Sequence, residues 1–161
     1  MTLEKNRCRK LNELMSDYSL NSYALSVYLK SEEARIDYYR NGTFDISYTH
    51  WIQFLRLITL MARSVRKALE NAKEQKALTV PVIHYVSEED FQEFFQDASK
   101  FQSVMIYRPL MYVIFQALRK EAFKPYIVEF DRFQYLNWLT SEGKENTSEN
   151  CSLWVSLQPA T

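Results

Sequence analysis

The sequence predicts an all-α fold, a single helical bundle of about five to six helices with a flexible polar C-terminal tail. Three observations carry this. Apolar residues recur at spacings of three and four over most of the chain. Only two residues are Gly, where average usage of about 7% would give roughly eleven, so turns and bulges that need positive φ are scarce. With 161 residues, 47% of them hydrophobic and 25% charged, the chain has the composition and length of one folded globular core.

Lys5 to Tyr18 places Cys8, Leu11, Leu14, Met15 and Tyr18 on one helical face. A second pattern starts at Asn21 or Ser22 as N-cap and runs through Leu25, Leu29 and Ile36 to Tyr39, with Asn41-Gly42 as its stop. Ser31-Glu32-Glu33 offers a restart within it after a short break. The clearest element extends from after Ile46 to about Lys76, where Trp51, Phe54, Leu55, Ile58, Met61, Ala62, Val65, Leu69 and Ala72 form a stripe uninterrupted by Gly or Pro. Thr79 to Val86 breaks this pattern, because Pro81 and the β-branched residues around it favour extended backbone; it reads as a connector.

Ser87-Glu88-Glu89-Asp90 has the form of a capping box before Phe91, Phe94, Phe95 and Ala98, and predicts another helix start. Pro109 suits the first turn of the next helix, with Leu110, Val113, Ile114, Ala117 and Leu118 inward. Pro125 stops that helix or opens the next. Ile127, Phe130, Phe133, Leu136 and Leu139 predict a final helix over Tyr126–Leu139, with a short strand at Tyr126-Ile127-Val128 as the alternative. Thr140 to Asn150 loses apolar periodicity, and Ser152 to Leu157 regains it as a clip that docks back or meets a partner. The expected organisation is a helical domain over 1–140 and a polar tail over 141–161.

Several function classes are disfavoured. Gly42 and Gly143 stand alone, so neither a P-loop nor a dinucleotide fingerprint exists. Cys8 and Cys151 have no C-x-x-C spacing and read as reduced thiols, without a zinc site or a disulfide framework. The carboxylates Glu88, Glu89, Asp90, Glu93 and Asp97 fit a helix N-terminus better than a metal site. His50 and His84 sit in no recognisable catalytic pattern, and there is no Gly-x-Ser-x-Gly elbow. No catalytic residue, cofactor or metal is therefore expected. The charged opening MTLEKNRCRK lacks an apolar signal core, and the apolar runs at 57–62 and 104–118 are short for a membrane span, so a cytoplasmic location and no membrane contact are expected.

The net charge of zero conceals segregation. Between His50 and Val80, Arg56, Arg63, Arg66, Lys67, Lys73 and Lys76 face only Glu70 and Glu74. Arg56, Arg63 and Lys67, with Arg66 and Lys73 adjoining, fall on the side of the long helix away from Trp51, Ile58 and Val65. Lys5, Arg7, Arg9 and Lys10 form a second basic cluster, and Arg119, Lys120 and Lys124 a third. A basic helical stripe is what a phosphate-tracking surface requires, and it is equally what a solvated helix face looks like. The abundant Tyr residues fit core edges, protein interfaces or base stacking.

The long basic helix from Trp51 to Lys76, the acidic start of SEEDFQEFF and the helical segment RPLMYVIFQALRKEAFK together resemble the small helical subunits of Cascade-type CRISPR effector complexes, over about residues 1–140. The resemblance implies a noncatalytic subunit of an RNA-guided antiviral complex. Such a protein packs against copies of itself and other subunits, and steadies a guide–target duplex or a displaced single strand through phosphate contacts. Arg56, Arg63, Arg66, Lys67 and Lys73 are the candidate nucleic-acid-binding residues. The neutral net charge departs from that family's character. The alternative is a protein–protein adaptor or regulator with no nucleic-acid contact, docking through its aromatic surface and the Trp154 clip.

Overall fold

The computed structural model describes residues 3–160, with side chains from Asn6 onward. Nine helices and a two-stranded sheet occupy the described residues. In order they are α1 (Leu3–Asp17), α2 (Ser22–Leu29), α3 (Glu33–Asn41), α4 (Tyr48–Gln75), β1 (Thr79–His84), α5 (Glu88–Phe94), α6 (Ala98–Phe101), α7 (Val104–Lys120), β2 (Lys124–Glu129), α8 (Arg132–Glu142) and α9 (Ser148–Ser156). The fold is mostly helical but not all-α, and it has more helices than periodicity predicts.

Local chemistry sets most boundaries. Asn21 caps α2 by accepting from Ala24 N–H at 2.7 Å, Ser47 caps α4 through His50 N–H at 3.2 Å, and Ser87 caps α5 through Asp90 N–H at 3.0 Å. The pattern over 21–39 divides at Lys30, which adopts left-handed φ of 52°, so the restart at Glu33 is the observed arrangement. Gly42 ends α3 at φ 78°; a Cβ there would meet only Cys8 Sγ at 3.8 Å, so backbone conformation rather than space calls for glycine.

Three expectations are corrected. Pro109 lies inside α7, whose true start is Val104, one residue after Ser103. Glu88 Oε2 accepts from Val104 N–H at 3.0 Å and from Ser103 Oγ at 2.9 Å, and these bonds hold the first turn in place. The expected helix over Tyr126–Leu139 divides into β2 and α8, and the alternative strand at Tyr126-Ile127-Val128 is the observed arrangement of its first part. Pro125 and the β-branched pair Ile127-Val128 favour extended backbone, and a partner strand is available. That partner is the expected connector: β1 pairs with β2 in parallel, from Thr79 opposite Lys124 to His84 opposite Glu129. Parallel pairing demands a long crossover, supplied by α5, α6 and α7.

The core is strongly aromatic. Tyr85, 1% exposed, lies at its centre, with ring centroids 5.1 Å from Phe130, 5.5 Å from Tyr107 and 5.9 Å from Phe91. A satellite cluster of Ala72, Val82 and Leu118 joins the C-terminal part of α4 to β1 and α7. The apolar clip expected within the tail is α9, which buries Cys151, Trp154 and Val155 in the main core. Among the described residues no helix is long and apolar enough to cross a membrane.

Candidate nucleic-acid interface

Helix α4 spans 28 residues, about 42 Å at 1.5 Å per residue. Phe54, Leu57, Ile58 and Met61 bury one side of its N-terminal half. Arg56, Arg63, Arg66 and Lys67 are exposed on the other. At about 100° per residue, Arg56, Arg63 and Lys67 fall within an arc of roughly 40°, over about 16 Å of helix axis. Among the described residues none of these four cations lies within ion-pairing distance of a carboxylate. Glu70 and Glu74 continue the same stripe toward the C-terminus and end the positive field one turn beyond Lys67.

Lys73 stands apart from the other candidates. Both it and Arg66 lie to one side of the Arg56–Arg63–Lys67 line, rotated about 100° and about 80° from Arg56 around the axis; what separates Lys73 is its Nζ, 3.0 Å from Glu121 Oε2 at the C-terminal end of α7. The stripe proper is thus Arg56, Arg63 and Lys67, with Arg66 exposed beside it.

Between Arg56 and Arg63 the surface dips into an open trough of about 420 Å³ floored by Ile52, Leu55 and Leu60, with Thr59 at its side. Thr59 Oγ1 donates to Leu55 C=O at 2.9 Å, so that hydroxyl hydrogen is used within the helix. Tyr28 of α2 stands near this rim. Burial raises its phenol above the ordinary tyrosine value, and the charge of Arg56 opposes the shift. The site therefore combines unpaired cations with apolar surface.

The other charged clusters are more fully committed. Arg9 and Lys10 each lie 3.5 Å from Glu13, and the side chain of Lys5 is outside the described residues. Arg119, Lys120 and Lys124 are exposed around the end of α7 and the start of β2, where the first two complement the helix dipole. The acidic cluster on α5 serves Arg132. Asp90 accepts from Arg132 Nε at 2.7 Å, Glu89 lies 3.3 Å from Nη2, and the guanidinium caps the Phe94 ring at 5.2 Å. Glu93 Oε2 completes the set as an ion pair 2.7 Å from Nη2. Sequence reasoning missed this hub, because Arg132 and Asp90 are 42 positions apart.

His50 Nδ1 lies 3.1 Å from Tyr39 Oη; burial, with a smaller contribution from Arg35, holds its pKa below the ordinary imidazole value. Cys8 and Cys151 are both free thiols. Among the described residues no group of three or more His, Cys, Asp or Glu side chains is placed to hold a metal ion. No protein-family model matches the chain, and no relative is found among curated proteins.

Proposed function

We propose that the chain is a noncatalytic helical subunit of a nucleoprotein assembly, holding a nucleic-acid backbone along α4 in the cytoplasm. One observation carries the reading: Arg56, Arg63 and Lys67 are exposed and aligned over about three turns, exposed Arg66 flanks them, and none of the four is paired among the described residues. Unneutralised cations on one face can take the place of counterions condensed along a phosphate backbone and release them. The resemblance to Cascade-type small subunits makes a CRISPR effector the proposed assembly, with a guide–target duplex or displaced strand as the polymer, and other subunits and further copies as protein neighbours.

The test is equilibrium binding to labelled oligonucleotides across a salt series. Four phosphate contacts give a log–log salt slope of about −2.8 on single strands and −3.6 on duplex, so affinity falls roughly 50- to 150-fold between about 50 and 200 mM salt. Changing Arg63 and Arg66 together to Glu removes about two contacts, roughly halving the slope. A slope untouched by that double substitution refutes the stripe. A second reading, an adaptor for an acidic amphipathic helix, is favoured by the apolar floor between the arginines. In that case Leu55→Asp and Leu60→Asp abolish partner capture, and no oligonucleotide binds.

A further inference from the structure

A groove runs along the open edge of β1, away from the arginine stripe. Lys124 N–H donates to Leu78 C=O at 2.8 Å and Phe130 N–H to His84 C=O at 2.9 Å. In a parallel ladder this parity directs Leu78, Val80, Val82 and His84 toward β2, and turns the backbone groups of Thr79, Pro81 and Ile83 outward. Tyr107 Oη donates to Ile83 C=O at 2.8 Å and closes that end. The Thr79 N–H and C=O, the Pro81 C=O and the Ile83 N–H have no partner among the described residues. They lie in a groove of about 700 Å³. Residues 79–83 line it consecutively, Ala72 and Gln75 of α4 form one wall, Ser152 and Ser156 of α9 the other, and Ile114 and Leu118 of α7 also line it. None of the lining residues is charged, in a chain of which 25% is.

We propose that this groove takes a short, uncharged, extended peptide segment, which adds to β1 as a further strand. The edge supplies main-chain donors and acceptors at strand spacing, and the small side chains of Ala72, Ser152 and Ser156 let a second backbone approach between the larger lining residues. The uncharged lining selects a neutral occupant, because a charged side chain would lose its hydration there without gaining a counter-charge. Pro81 has no N–H to offer and Tyr107 occupies the last acceptor, so pairing is confined to a few residues, and the flanking helices exclude a broad sheet.

The experiment screens the full chain against a pool of acetylated, amidated hexapeptides of Ala, Val, Thr, Ser, Ile and Asn. Enriched peptides are then measured by fluorescence anisotropy and by amide shifts. Expected are selective shifts of Thr79 and Ile83. Ser152→Trp, an exposed position whose replacement leaves the circular dichroism unchanged, weakens binding about tenfold or more, as does N-methylation of alternate peptide bonds. Arg63→Glu has no effect, which separates this site from the α4 stripe. No enrichment, or binding indifferent to both Ser152→Trp and N-methylation, overturns the proposal.

Discussion

Truncating Trp154 tests whether α9 belongs to the core. The indole is 3% exposed, with ring centroids 5.7 Å from Phe130 and 5.5 Å from Tyr135. A buried tryptophan removes about 150–250 Å² from water, or roughly 4–6 kcal/mol at 25 cal/mol per Å², and Trp→Ala changes in cores cost about 3–5 kcal/mol. Trp154→Ala should therefore destabilise by about 4 kcal/mol, a large share of the roughly 5–15 kcal/mol that holds a domain together. For a chain of this size that lowers Tm by about 8–16 °C. Leu153 is the internal control: it is the adjacent residue of the same helix but 43% exposed, and Leu153→Ala should cost less than about 1 kcal/mol. Urea unfolding followed by circular dichroism and by tryptophan fluorescence measures both. A Trp154→Ala penalty as small as that of Leu153→Ala would refute the docking of α9.

Glu88 and His50 make stability fall in acid by separate routes. Burial alone would raise the Glu88 carboxyl, but hydrogen bonds from Gln92, Ser103 and the Val104 N–H, together with Arg108, outweigh it and hold the pKa below the usual carboxylate range. Its contribution is complete above that range and disappears as pH drops through the depressed value, so Glu88→Gln flattens the acid limb of a stability–pH curve. His50 resists protonation in the folded state, so stability falls as pH drops below about 6.5, and His50→Gln removes that slope. Arg132→Met lowers Tm at low salt, and the difference narrows in about 1 M salt as the ion pairs with Glu89, Asp90 and Glu93 are screened. Among the thiols, Cys8 is partly exposed and reacts with a disulfide reagent in the native protein; Cys151, whose thiol burial pushes up, reacts only on unfolding.

Local signals proved legible where the chemistry is local. Asn21, Gly42 and Ser87 mark helix ends through their own side chains or their lack of one, and the stripe from Phe54 to Ala72 matches the side that α4 buries. Failure came where a distant segment decides. Ile127, Phe130, Phe133, Leu136 and Leu139 keep helical spacing, yet Lys124–Glu129 extends because Thr79–His84 pairs with it 45 positions away. The start of α7 was obscured by Pro109, since the carboxylate that holds Ser103 and Val104 belongs to α5. The same reasoning applies to charge. Spacing along α4 grouped Lys73 with the arginines, whereas Glu121 at the far end of α7 claims it.

The parallel register also sets an order of events during synthesis. Thr79 cannot meet Lys124 until 45 further residues have been made, and at about 5–20 residues per second that takes roughly 2–9 s. Helices α1 to α3 meet one another among contacts already present, while α4 lacks α7, against which it packs, and the nascent Thr79–His84 segment waits, rich in β-branched residues and without a mate. Pro81, which has no N–H to donate, interrupts that segment and weakens its ability to recruit a strand from a neighbouring nascent chain. Replacing it with Thr should leave the finished sheet intact and raise aggregation on the ribosome.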